Sequence, residues 1–553
     1  MKHTDKKSIQ ILVHTLHKMG LEHVVLSPGS RSAPLVKEFN AYPDIQKHIH
    51  FDERCAGFIA LGIAQQTKKT VAVFCTSGTA VLNLAPAICE AYYQKVPLLI
   101  LTADRPESVI GKGENQVIVQ QDIFKNYIKK SFTINENDKD NNTVLEALGV
   151  TINDTFGPVH INLPLSEPLY NSTEEISFAP IAYTPDPSPT LEKEKKHFIQ
   201  SVWNSAENRM IICGMESYNK RKNDLLDIIN QDSRTIILNE PTANVSIENT
   251  IGNIDGTLSM IADANDVFSP DLVITIGRQI ISKSIRKFLN SKKTFKHFHI
   301  SIDNEAWDIF GCLSGVLKCT NNDVLNILKN EEQSANSLWK KSWLSLQNQY
   351  YSYQQETIDS DNHLKDADIY NLLSSSVREN QIVQWGNSSP IRYACIFPFS
   401  SNNVEHFANR GTSGIDGCLS TAVGAAISQP EKQILVVIGD ISFFYDSNAL
   451  FKENFPSNLK IIVVNNSGGN IFRFIEGEQD EEIMTNYFET KHNYNVEYLA
   501  KMHGINYSVI TEKKNLAKTL KDFLLLKDKN AILECKTENQ KSANFFKLLL
   551  KKH

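Results

Sequence analysis

Strand-sized apolar runs recur along this chain, each followed by a stretch of helical periodicity, and this alternation narrows the fold more than any other feature. Residues 23–27, 70–75, 97–101 and 159–163 read as strands, with helices at 53–66 and 79–93 between them. A near-continuous apolar run fits a strand covered on both faces, and a helical crossover returns the chain for parallel pairing. The pattern recurs at 210–213, 235–238, 272–276 and 297–302, and again at 381–385, 433–439, 459–465 and 531–536. The expected class is α/β, with three doubly wound parallel-sheet domains over residues 1–180, 190–340 and 360–553. A total of 553 residues accommodates them at roughly 100 to 200 residues per domain. Residues 171–196, with Pro180, Pro185, Pro187 and Pro189, read as a linker, and the polar stretch 330–363 leads into the third region. The middle region is expected to be Rossmann-like, although Gly277 follows a strand without a Gly-x-Gly-x-x-Gly run.

Composition removes several function classes. The 57 Lys and Arg against 63 Asp and Glu give a net charge of −6, no general reason to bind nucleic acid or an anionic membrane. The apolar runs fall far short of the ~20 residues of a membrane helix. The polar start reads as leading into an amphipathic helix, not a secretory signal. Nine scattered cysteines without a Cys-x-x-Cys pair suit reduced packing residues and a cytoplasmic location.

The chemistry concentrates where strands end. Run 434–438 ends in Gly439-Asp440, and the next apolar run ends in Asn465-Asn466-Ser467-Gly468-Gly469. In a parallel sheet neighbouring carboxyl ends share one edge, where ligands bind. The Asp440 carboxylate, the Asn466 amide oxygen and a backbone carbonyl near Gly468 would then surround one ion. These hard oxygen donors suit Mg²⁺ or Mn²⁺, which complete their shells with phosphate oxygens and water. The plainer alternative is two unrelated turns. The spacing resembles the diphosphate anchor of thiamine-diphosphate enzymes, with Ile441 where many members have glycine.

That resemblance implies a carboxyl group facing the cofactor's aminopyrimidine ring, at the start of a helix after a short strand. Glu53, after His48-Ile49-His50-Phe51-Asp52, fits. In an apolar cleft its pKa would rise towards neutrality; the alternative is that Asp52 and Glu53 only complement a helix N-terminus. The resemblance also makes Ile415 the apolar residue that holds the cofactor bent, prepaying orientation entropy. It places the pyrimidine in the first domain and the diphosphate in the third, usually of opposite subunits, which implies a homodimer or homotetramer.

Arginines mark four strand-end loops: Ser30-Arg31-Ser32, Asp104-Arg105-Pro106, Ser388-Ser389-Pro390-Ile391-Arg392 and Asn409-Arg410-Gly411. Guanidinium forks recognise carboxylates, each charge-assisted contact contributing roughly 1.5–3 kcal/mol. Together with Phe51-Asp52-Glu53-Arg54, Thr76-Ser77-Gly78-Thr79-Ala80, Asn115-Gln116, Asn409 through Gly417 and Gly439-Asp440-Ile441-Ser442, these strings closely resemble the MenD family. Its members are the thiamine-diphosphate-dependent 2-succinyl-5-enolpyruvyl-6-hydroxy-3-cyclohexene-1-carboxylate synthases of menaquinone biosynthesis.

The resemblance implies a transferase that decarboxylates 2-oxoglutarate and adds the succinyl carbanion equivalent to isochorismate in a Stetter-like conjugate addition. By motif matching, Glu53, Gln116 and Arg392 would be catalytic. Ser30, Arg31, Arg105, Asn115, Lys283, Ser388 and Arg410 would bind substrate. Ser77, Gly78, Ser413, Ile415, Asp440, Ile441, Ser442, Asn466, Gly468, Gly469, Ile471 and Phe472 would join Glu53 around the cofactor, with Asp440, Asn466 and Gly468 on the metal. Lys283 stands where the family often has a Lys-Arg pair, and Ser284 replaces the second basic residue. The rivals are another thiamine-diphosphate decarboxylase or carboligase, needing fewer arginines, and a non-catalytic binding protein, which would have lost Glu53 or the metal motif.

Overall fold

Three parallel sheets carry the chain. The computed structural model describes residues 2–551 except 154, 177, 179–188, 262–265, 293, 304, 330–336, 360, 398, 400–403, 452–453, 476, 479 and 528. The first sheet runs in the order Gln46–Ile49, His23–Leu26, Val71–Cys75, Leu98–Asp104, Val159–Pro164, Lys130–Thr133. The third runs Glu405–Ala408, Gln381–Trp385, Gln433–Gly439, Leu459–Asn465, Ala531–Lys536, Asn506–Ile510. Numbered in chain order within each sheet, both read 2-1-3-4-6-5, so the likeness between first and third regions extends to topology.

The middle sheet, Thr235–Asn239, Arg209–Cys213, Leu272–Ile276, Lys296–Ile300, Leu313–Leu317, reads 2-1-3-4-5. That is the flavodoxin-like order of doubly wound sheets, whereas the dinucleotide-binding form runs 3-2-1-4-5-6. The Rossmann-like expectation is refined accordingly.

The sequence-expected strands are all present, and they are the apolar ones because both faces are covered: every residue of Val71–Cys75, Leu98–Asp104 and Leu459–Asn465 is buried. The expected helix 79–93 is instead two, Thr79–Asn83 and Ala85–Gln94, broken before Pro86, which has no N–H for the preceding turn. The N-terminal helix spans Lys7–Lys18, and the polar lead-in to the third region is the helix Leu338–Asp359. Part of the expected linker is ordered, because Ser172–Thr173 pairs antiparallel with His3–Thr4. Pro180, Pro185 and Pro187 lie outside the described residues, as do 330–336. All nine cysteines are free thiols, and no helix among the described residues is long and apolar enough to cross a membrane.

The chain forms two compact units. The first comprises 1–187 with 409–431 and 443–459; the second comprises 188–408, 432–442 and 460–553. Within the first, helices Glu53–Thr67 and Cys418–Ser428 cross at two glycines. A Cβ on Gly62 would sit 2.1 Å from Thr421 O, and one on Gly424 would sit 2.1 Å from Ile59 O. Within the second, Asn244 braces the edge strand Glu405–Ala408, donating to His406 O at 3.0 Å and accepting from His406 N at 2.7 Å. A side-chain amide thereby occupies the place of a further strand.

Candidate active site

In the second unit the ends of Gln433–Gly439 and Leu459–Asn465, neighbours in the sheet, converge as expected. Asp440 is 2% exposed and opens a short helix, Asp440–Tyr445. Its Oδ2 accepts the Gly468 N–H at 3.0 Å, and His492 Nε2 lies 3.2 Å from the same oxygen. Ser467 adopts φ 63°, turning the chain so that this N–H points back at the carboxylate. A Cβ on Gly468 would meet Glu489 O at 2.8 Å, and the Gly469 N–H donates to that carbonyl at 2.6 Å. Glycine at 468 is thus required by close backbone approach.

Asn466, also buried, donates from Nδ2 to Asp366 Oδ2 at 3.0 Å. Its Oδ1 is buried with no hydrogen-bond partner among the described residues. Leaving such an oxygen unsatisfied costs roughly 1–3 kcal/mol, so it is available as a ligand atom. A hard divalent cation fits, because Asp440 supplies a carboxylate and Asn466 an idle carbonyl oxygen. No cluster of three His, Cys, Asp or Glu side chains that could hold a metal ion occurs among the described residues.

Asp366 belongs to this site although no motif marks it. Thr537 Oγ1 and Ser542 Oγ donate to its Oδ1 at 2.5 and 3.0 Å. Burial pushes its carboxyl up to about 6 despite these donors and Asn466. Nearby, Ile471 and Phe472 form half of a single turn, Asn470–Arg473, with the Phe472 ring 5.4 Å from Phe488. Ile441 is half-buried and Ser442 buried. Ser388, at φ 75°, opens the helix Ser389–Ile396, and Arg392 Nη1 donates to Ser388 O at 2.8 Å. Lys283 is exposed at the start of Lys283–Lys292.

The first unit holds the other expected residues. Asp52 caps the helix Glu53–Thr67, accepting from Arg54 N at 2.9 Å and Cys55 N at 3.2 Å. The charge complement of that N-terminus is therefore met by Asp52, while the Glu53 carboxylate accepts instead from Asn83 Nδ2 at 3.2 Å. The apolar cleft expected around Glu53 is not built by this unit, since the residue is only half-buried. Ile49, four residues before Glu53, and Leu82, next to the Glu53 partner Asn83, are 62% and 47% exposed.

Gly78, at φ 84°, closes the turn after Val71–Cys75, with Ser77 buried beneath. A Cβ there would come 3.3 Å from Gln116 Cα, so backbone contact sets Asn115 and Gln116 at the turn, both exposed. Gln120, fully buried, accepts the Gly78 N–H at 3.0 Å and donates to Asn162 Oδ1 at 3.1 Å. Asn162 in turn donates to Asp104 Oδ2 at 2.8 Å. This network braces the turn from below.

Arg31 departs from expectation. It is 5% exposed, and its guanidinium donates to Leu165 O at 2.9 Å and Glu167 Oε1 at 3.0 Å. Burial, then the nearby Arg105 charge, lowers its pKa. The fork is occupied by the chain itself, so a substrate carboxylate would have to share it with Glu167. Arg105 donates to Glu114 at 2.6 Å, while Ser30 is exposed.

The loop 409–417 carries Arg410, Ser413 and Ile415, and a buried carboxylate shapes it. Glu90, 1% exposed, accepts from Gly411 N at 2.7 Å, Thr412 N at 2.6 Å and Thr412 Oγ1 at 2.6 Å. Sequence reasoning missed it, yet there was a signal: a lone acid on an apolar helix face with Ala87, Ile88 and Ala91.

Residues 6–125 match the thiamine pyrophosphate enzyme N-terminal TPP binding domain, and 391–535 match the C-terminal TPP binding domain. The 2-succinyl-5-enolpyruvyl-6-hydroxy-3-cyclohexene-1-carboxylate synthase of Flavobacterium psychrophilum is 37% identical, covering 98% of both chains. Its namesakes from Flavobacterium johnsoniae and Bacteroides thetaiotaomicron are 36% and 34% identical over 92% and 94% of both chains.

Proposed function

We propose that this chain, which belongs to the family of 2-succinyl-5-enolpyruvyl-6-hydroxy-3-cyclohexene-1-carboxylate synthases, joins 2-oxoglutarate to isochorismate with loss of CO₂. Its two TPP binding domains make it a thiamine-diphosphate-dependent transferase. When bound, the cofactor would supply the nucleophilic carbon and the electron sink that decarboxylation of a 2-oxo acid requires. The observations that carry the cation part are the idle Asn466 Oδ1 and, two residues along the chain, the contact of Gly468 with Asp440. Asp440, Asn466 and the Gly468 carbonyl would hold Mg²⁺ or Mn²⁺ against the diphosphate.

Glu53 would hold and exchange the proton that activates the cofactor, a role open to it because Asp52 does the capping. Arg105, Arg392 and Arg410 bind the carboxylates of the two acidic substrates, with Ser30, Asn115, Gln116, Ser388 and Lys283 adding hydrogen bonds and Arg31 holding the loop that frames them. Ile415 would press on the bound cofactor by apolar steric contact. The exposed apolar side chains of Ile49 and Leu82 support a homodimer, in which a second copy covers them. Cytoplasmic location fits nine free thiols.

Calorimetric titration of thiamine diphosphate with and without Mg²⁺ tests the anchoring: binding should require the ion and weaken sharply in Asp440→Ala. Unchanged affinity in that variant rules out the metal assignment. CO₂ release from 2-oxoglutarate but not pyruvate tests the donor, and the reverse preference would exclude the reaction.

A further inference from the structure

An asparagine that ligates a cation faces a choice a carboxylate does not: either its oxygen or its NH₂ can point at the ion, and only the oxygen binds. Asn466 is the cation-facing asparagine of the proposed function, on which this inference rests. Its Nδ2 donates to Asp366 Oδ2 at 3.0 Å. We propose that Asp366 is a positioning residue, whose carboxylate pins the Asn466 amide so that Oδ1, not the NH₂, faces the site formed with Asp440 and Gly468.

The geometry supports this at each step. Asp366 is 1% exposed and the first residue of the helix Asp366–Ser376. Its two oxygens are divided: Oδ1 accepts from the hydroxyls of Thr537 and Ser542, and Oδ2 accepts from Asn466. The Ser542 hydroxyl also accepts the Asp366 N–H at 3.1 Å, so the carboxylate plane is fixed from two sides. An ionised carboxylate only accepts. Turning the Asn466 amide over would set its Oδ1 against Asp366 Oδ2, removing a charge-assisted hydrogen bond and adding a repulsion inside the protein. The idle Oδ1 on the other side of Asn466 is what this constraint leaves exposed to a ligand.

Asp366→Asn keeps the shape but offers both an oxygen and an NH₂, so either Asn466 orientation finds a partner and the bias is lost. The probe is Mn²⁺ in the presence of thiamine diphosphate, at pH 8, with free Mn²⁺ counted by electron paramagnetic resonance on the full chain. Outer-shell partners of metal ligands typically contribute about 10- to 100-fold in metal affinity, and a loss in that range is expected for Asp366→Asn. Thr537→Val removes a bond to the same carboxylate without touching Asn466, and its Mn²⁺ affinity should stay near wild type. The exchanged pair Asp366→Asn with Asn466→Asp should regain most of the affinity. In that pair the amide introduced at position 366 can donate to one oxygen of the carboxylate introduced at position 466, and the other oxygen has no wrong orientation. Asn466→Asp alone, with two carboxylates in contact, should bind more weakly than the exchanged pair.

Equal affinity in wild type and Asp366→Asn overturns the inference while leaving the cation site intact. If Asp366→Asn does not fold, the comparison of Asn466→Asp with the exchanged pair decides: no recovery in the pair overturns it. Absence of Mn²⁺ uptake by the wild type removes the cation reading and this inference with it.

Discussion

Glu90→Gln should loosen the loop that carries Arg410 and Ile415 without touching any group that meets a ligand. In the native chain the Glu90 carboxylate accepts three hydrogen bonds from the loop, at 2.6 to 2.7 Å from Gly411 N, Thr412 N and Thr412 Oγ1. Glutamine keeps one acceptor oxygen and turns an NH₂ towards one of the loop's donors. One hydrogen bond to a charged group is lost, which costs about 1.5–3 kcal/mol. At about 2–4 °C per kcal/mol for a unit of this size, the ligand-free melting midpoint should fall by roughly 3–12 °C. Circular dichroism gives that shift, and a titration with thiamine diphosphate gives the second readout: affinity should fall, because binding must first restore the loop that holds Ile415. A melting midpoint and a cofactor affinity both equal to wild type would refute the claim that Glu90 organises the loop.

Other perturbations separate chemistry from packing. Glu53→Gln should retain cofactor binding while turnover falls by about 10²–10⁴, as when a positioned proton carrier is lost; near-wild-type turnover removes the role. Gly62→Ala should destabilise the first unit by about 1–3 kcal/mol, because the new methyl meets Thr421 O at 2.1 Å across the helix crossing; an unchanged denaturation midpoint would contradict that packing. Asp446 is buried and hydrogen-bonded by Ser420, and burial raises its pKa from 3.8 to about 6. The folded state then holds this proton more tightly than the unfolded chain, so its contribution to stability is full below about pH 4 and is lost as pH rises through 6. The loss is about 3 kcal/mol, and Asp446→Asn should lack that slope; parallel stability curves for the two proteins would argue against it.

The central strands were readable because burial on both faces writes them as unbroken apolar runs. Within the three parallel sheets, the five strands that the apolar pattern passed over all lie at sheet edges: Gln46–Ile49, Lys130–Thr133, Leu313–Leu317, Glu405–Ala408 and Asn506–Ile510. Gln46–Ile49 and Lys130–Thr133 bury none of their residues fully, so composition alone cannot tell them from loop. The candidate site divides in the same way. Asp440, Asn466 and Glu53 sit in local strings whose spacing carries the chemistry. Asp366 meets Asn466 across 100 residues and Glu90 meets Gly411 across 321, so that even the lone acid on its apolar helix face gives no local sign of its partner. Arg31 shows the converse: its loop was legible, but the occupation of its guanidinium by Leu165 and Glu167 is a tertiary fact.

The most direct test of the proposed reaction combines donor, acceptor and product. Purified protein incubated with thiamine diphosphate, Mg²⁺, 2-oxoglutarate and isochorismate should form a product with the mass of 2-succinyl-5-enolpyruvyl-6-hydroxy-3-cyclohexene-1-carboxylate, and pyruvate should not replace 2-oxoglutarate. A carboligation product from pyruvate, or CO₂ release without any adduct of isochorismate, would contradict the assignment.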